Sequence, residues 1–67
     1  MSEEKKLALL IDSENVAAKY AQLILQEASR YGELTYKRVY GDWEKNNITG
    51  WRIPAMNNSI LAVQQNS

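Results

Sequence analysis

The chain has 67 residues, with eight Lys plus Arg balancing eight Asp plus Glu, and it contains neither Cys nor His. A chain of this size buries only about 60% of its unfolded surface, and the missing residue types exclude disulfides and Cys/His zinc sites as supplementary staples. Zero net charge excludes a free-standing, strongly basic nucleic-acid arm, because phosphate-driven affinity requires positive charge, although a local basic patch remains possible.

The charged start, "MSEEKK", reads as a disordered tail over residues 1–5. Only five apolar residues follow it, too few for a signal peptide or a membrane span. The expectation is a soluble, cytoplasmic protein with no membrane contact. Residues 7–11 (Leu7, Ala8, Leu9, Leu10, Ile11) form an apolar run without alternation, the pattern of a strand buried on both faces of a parallel sheet. The run stops at Asp12, followed by Ser13, Glu14 and Asn15.

From about residue 15 to 31 the period changes. Val16, Tyr20, Leu23, Ile24, Ala28 and Tyr31 recur at helical spacing and predict an inward stripe, with Gly32 placed for a left-handed helix stop. Residues 34–43, "LTYKRVYGDW", predict a second strand ending at Gly41. A second helix over about 48–57 carries Trp51, Ala55 and Met56 and is weakened by Gly50 and Pro54. A turn at Asn58 and Ser59 leads to a third strand over 60–64. Alternation of this kind predicts βαβ units and a parallel sheet.

In such sheets ligands bind outside the carboxyl ends of the strands. Asp12 ends the first strand and Asp42 follows the second, so both are candidates for one rim. Asn15 falls near the first helix start, where its side chain can cap free N–H groups and where phosphate finds partial positive charge. Each residue also has a structural reading: Asp12, Ser13 or Asn15 as caps, Asp42 as a turn residue, Trp43 and Trp51 as packing, and Tyr36, Lys37 and Arg38 as a solvated strand face. The run ending in an acid is similar to a Walker B strand, but no G-x-x-x-x-G-K-[ST] loop precedes it. It is also similar to the nucleophile strand of haloacid-dehalogenase phosphatases, which place a second Asp where this chain has Glu14. No G-x-G-x-x-G follows the strand, against a dinucleotide fold.

"LLIDSEN" at 9–15, "YGDW" at 40–43, Trp51 and "ILAVQQNS" at 60–67 together resemble the NYN domain, in its LabA-like bacterial branch within the PIN-like nuclease group. The resemblance runs from about Lys6 to Ser67 and covers the first half of that family's domain. It implies an α/β fold, a three-stranded parallel βαβαβ half of a PIN-like, Rossmann-like domain with strand order 3-2-1. It further implies a metal-dependent ribonuclease whose acids hold Mg²⁺ or Mn²⁺ at the carboxyl rim, with RNA as the partner. Asp12 would be the metal ligand and Asn15 would orient it or contact phosphate. Ser13 and Asp42 would be phosphate or rim contacts.

In that family further acids follow the segment matched here, so the expectation is an inactive fragment that forms one wall of the site. A half-domain also implies an exposed first strand that self-associates or pairs with the missing half. The competing readings are a non-catalytic RNA- or protein-binding module and a phosphotransfer domain with Asp12 as acceptor.

Overall fold

The computed structural model describes residues 5–44 and 49–65. The expected tail therefore lies, apart from Lys5, outside the described residues. Strand β1 (Lys6–Asp12) leads through a 3-10 turn (Ala18–Tyr20) into helix α1 (Ala21–Ser29). Strand β2 (Glu33–Gly41), helix α2 (Thr49–Asn57) and strand β3 (Leu61–Gln64) follow. The three strands are parallel, in the order β1-β2-β3, which is compatible with the expected 3-2-1. The fold is α/β, a three-stranded parallel βαβαβ unit with β2 at its centre.

Two crossovers that step the same way across a parallel sheet deliver both helices to one face. Among the described residues the core forms there. Ile11 and Val39 of the sheet meet Ala21 of α1, Trp51 and Ala55 of α2, and Ile60 just before β3. Leu9, Val16, Ala18, Leu25 and Trp43 pack around them.

This one-sided arrangement corrects the reading of β1 as buried on both faces. Its residues alternate, with Leu7, Leu9 and Ile11 turned toward the helices and Lys6, Ala8, Leu10 and Asp12 exposed. Leu10 keeps 61% of its surface in water. The opposite face carries three rows across the sheet, Ala8 and Tyr36, then Leu10, Arg38 and Leu61, then Asp12, Tyr40 and Val63.

The helix stripe also differs from expectation. Tyr20, Leu23 and Tyr31 are exposed, whereas Ala18, Ala21 and Leu25 face the core. Small side chains at 18 and 21 let the helix approach the sheet closely, so the large residues turn outward. Gly32 is not a left-handed stop, since no described glycine has positive φ. The reason for glycine there is proximity. A Cβ would stand 2.5 Å from the Lys5 carbonyl oxygen, which accepts the Glu33 N–H at 2.7 Å where β1 and β2 begin to pair.

Pro54 lies inside α2. It forfeits one intrahelical bond, and the burial of Trp51 and Ala55 on either side of it holds the helix. At the end of α2, Asn58 donates to the Pro54 carbonyl from both its N–H, at 3.1 Å, and its Nδ2, at 2.8 Å. Ser59 then turns the chain with φ 58°, and Lys37 crosses from β2 to cap the Asn58 carbonyl at 2.7 Å.

Candidate functional site at the carboxyl rim

The sheet ladder continues one step past β1, because the Ser13 N–H donates to the Tyr40 carbonyl at 2.9 Å. The chain then closes a tight turn on Asp12. The N–H groups of Asn15 and Val16 donate to the Asp12 carbonyl at 3.1 and 3.0 Å. Its carboxylate is held on both oxygens: Oδ1 accepts the Glu14 N–H at 3.1 Å and Oδ2 accepts Asn15 Nδ2 at 2.7 Å. A carboxylate has about four lone-pair directions, so both oxygens remain able to accept again. Asp12 is exposed. It is oriented and open at once.

Two packing contacts fix this turn to the rest of the molecule. Buried Trp51 donates from Nε1 to the Val16 carbonyl at 3.1 Å, so α2 holds the far end of the turn. Ser13 sits directly over Gly41, where a Cβ would collide with Ser13 Oγ and come within 3.1 and 3.2 Å of the Trp43 ring. A side chain at 41 would therefore turn the Ser13 hydroxyl out of its seat and press on the Trp43 ring.

Asn15 orients Asp12, but it does not cap a helix. The helical segment starts later than expected, at Ala18, with Ala17 before it and no capping side chain. The turn occupies the residues that periodicity had assigned to the first helical turn. The sequence reading missed Tyr40 as a neighbour of Asp12, since only the strand register sets the two side by side. Leu10, Ile11, Asp12, Tyr40 and Gln65 line a pocket of about 320 Å³. Burial pushes the Tyr40 phenol above its usual range, and the Tyr36 phenol pushes the same way against a smaller opposing effect of Arg38. The Arg38 guanidinium lies 3.8 Å from the centre of the Tyr36 ring.

Asp42 has a different environment. It is buried, with 6% exposure, and its Oδ1 accepts Gln64 Nε2 at 2.9 Å and the Glu44 N–H at 3.2 Å. Gln64 Oε1 in turn accepts the Trp43 N–H at 3.0 Å. Gln64 lies opposite Gly41 in the ladder, on the helix-covered side, whereas Asp12 lies on the open side. The structure thus brings Asp12, Asn15 and Tyr40 together and places Ser13 beside Gly41. It joins Asp42 to Gln64 rather than to Asp12.

Mg²⁺ or Mn²⁺ suits oxygen ligands and takes one or two carboxylates while keeping several waters. Asp12 meets that requirement as one ligand, being exposed, anionic and oriented. Among the described residues no three acidic side chains converge on one point, so the set is partial. No helix among them is long and apolar enough to cross a membrane. A model of the NYN domain family matches residues 6–67. No curated protein matches the chain and no solved structure does.

Proposed function

The chain belongs to the NYN domain family, and from that premise we propose that residues 6–67 form the N-terminal half of a metal-dependent, ribonuclease-like domain of the LabA-like bacterial branch. Its substrate is RNA and its setting is the cytoplasm. The observation that carries the reading is the Asp12 turn, an exposed carboxylate at the carboxyl rim whose direction is set by Asn15. A bound Mg²⁺ or Mn²⁺ would supply activation of water and charge stabilisation at phosphate. The protein's part is to present Asp12 as one ligand, to hold it through Asn15, and to flank it with the protonated Tyr40 phenol as a donor facing the same pocket. Ser13 and Asp42 support the rim from beneath, Ser13 through its seat on Gly41 and Asp42 through Gln64.

The partial ligand set leaves the 67-residue chain inactive alone, and the outer position of β1 in the described sheet lets it take up a second copy or the remainder of its domain. The same observation favours a second reading, binding of RNA or protein without cleavage.

The test compares the 67-residue chain with a longer chain that carries further acids. The longer chain is expected to cleave RNA in Mg²⁺ or Mn²⁺, and Asp12→Asn to abolish cleavage while leaving its circular dichroism unchanged. Undiminished cleavage by the variant removes Asp12 from the mechanism. RNA binding with no cleavage by the longer chain selects the second reading.

A further inference from the structure

The turn that carries Asp12 is not continued by a helix. It closes on the Asp12 carbonyl, which accepts the Asn15 and Val16 N–H groups at 3.1 and 3.0 Å. Ala17 is then extended, with φ −74° and ψ 143°, before the 3-10 turn begins at Ala18. A single turn fixes several backbone dihedrals in exchange for very few hydrogen bonds, so it is unfavourable unless a helix propagates from it or its ends are held. Here the ends are held. Ser13 is tied to the sheet through its N–H and the Tyr40 carbonyl, at 2.9 Å. Val16 is tied to α2, its carbonyl accepting the Trp51 Nε1–H at 3.1 Å from 35 positions away.

We infer that Trp51 is a positioning residue for Asp12: its indole N–H holds the far end of the turn and thereby keeps Asn15 where its Nδ2 aims the carboxylate. This role rests on the reading of Asp12 as a ligand proposed above and adds the distant residue that aims it. Asn15 lies between the two anchored residues, Ser13 and Val16. Its bond to Asp12 Oδ2, at 2.7 Å, is exposed. An exposed bond exchanges with water at little net gain, and it persists when the backbone has already set donor and acceptor together.

The residue type fits the task. A tryptophan combines a large apolar body with one donor at its edge. The body of Trp51 is buried in the cluster that contains Ile11, Val39 and Ala55, and the donor reaches out of that cluster to Val16. Beside it, Gly50 brings the start of α2 against the 3-10 turn, where a Cβ would stand 3.6 Å from that of Ala18. Trp43 supplies the contrast. It also packs on the core, yet its Nε1 has no hydrogen-bond partner among the described residues.

The test replaces the Trp51 indole by benzothiophene, which keeps the bicyclic ring and lacks the N–H, and compares it with Trp51→Phe, which also reduces the ring. In the 67-residue chain both are expected to shift the Asn15 side-chain amide to its water-bonded NMR position. The Asn15 and Val16 amides should exchange roughly five- to tenfold faster relative to the amides of the β1–β2 ladder, the factor one ordinary hydrogen bond supplies. Benzothiophene at position 43 is expected to change neither. In the longer chain, benzothiophene at 51 should raise the Mg²⁺ concentration for half-maximal cleavage by about tenfold, the low end of what a residue behind a metal ligand contributes.

Unchanged Asn15 signals with benzothiophene at 51 overturn the inference, whatever Trp51→Phe does, because the ring and not its N–H then holds the turn. Equal disturbance from benzothiophene at 43 overturns it as well. Lost Asn15 signals with an unchanged Mg²⁺ requirement leave Trp51 holding the turn and overturn instead the reading of Asp12 as a ligand.

Discussion

Asp12 and Asp42 end neighbouring strands at the same rim, and their surroundings divide the labour between them. Asp12 is exposed and, among the described residues, is held by its own turn, through Glu14 N–H and Asn15. Asp42 is buried and ties the end of β2 to β3 through Gln64, with the same glutamine accepting from Trp43. A buried carboxylate persists only where hydrogen bonds replace its hydration, so Asp42 is committed to holding strands together. An exposed carboxylate at a strand end has lone pairs left over, and Asp12 is the one a cation or phosphate-bound water can reach.

The widest separation between the two should appear in stability. Asp42→Ala removes bonds to a charged group inside the protein and is expected to cost about 1.5–3 kcal/mol or more in urea unfolding. Asp12→Ala, whose partners turn to water, should cost less than about 1 kcal/mol. Equal losses would erase the distinction. A smaller effect is expected at Asn15. Asn15→Ala deletes one exposed bond and should cost about 0.5–1 kcal/mol, leaving the Asp12 carboxylate held by the Glu14 N–H alone. An Asp12 side-chain NMR signal as ordered as in the parent would show that Asn15 does not orient it.

The smallest effect concerns Tyr40. Its phenol is pushed above the ordinary value of 10.0, first by burial and then by Tyr36. A raised value means that the folded chain keeps a proton the unfolded chain gives up. The associated stability is complete below pH 10 and is lost as pH climbs toward the folded-state value. Ultraviolet titration should show one tyrosine ionising late, and Tyr40→Phe should remove that step; an unchanged titration would place the late ionisation elsewhere.

The order of elements was legible because each rests on local pattern. The apolar run stopping at Asp12, the β-rich segment ending at Gly41 and the helix bracketing Trp51 were all readable along the chain. What escaped depended on partners distant in sequence. Asp42 is clasped by a residue 22 positions away, and Tyr40 becomes a neighbour of Asp12 only through strand register. The inward stripe of the first helix was misplaced because helical spacing was counted from about residue 15, whereas the helical segment starts at Ala18. Alanines at 18 and 21, by contrast, win the inward positions by letting the helix close on the sheet. The apolar run of β1 gave no sign that one of its faces would stay in water.

The junction of β1 and β2 shows why β2 resists a simple alternating reading. Leu7 pairs with Leu34 but Ala8 pairs with Tyr36, so Thr35 is an extra residue in the ladder. Leu34 and Tyr36 are two apart and would ordinarily share a face. Here Leu34 joins Leu7 on the covered side, half-buried, and Tyr36 joins Ala8 on the open side, 42% exposed. The extra residue acts as a phase shifter, inverting the sense of the strand behind it. Leu34 and Val39, an odd number of residues apart, can then both point inward, while Tyr36, Arg38 and Tyr40 are left as an outward row leading to Asp12. Length changes upstream of Thr35 can be absorbed at that point, so the rim is insulated from the start of its own strand.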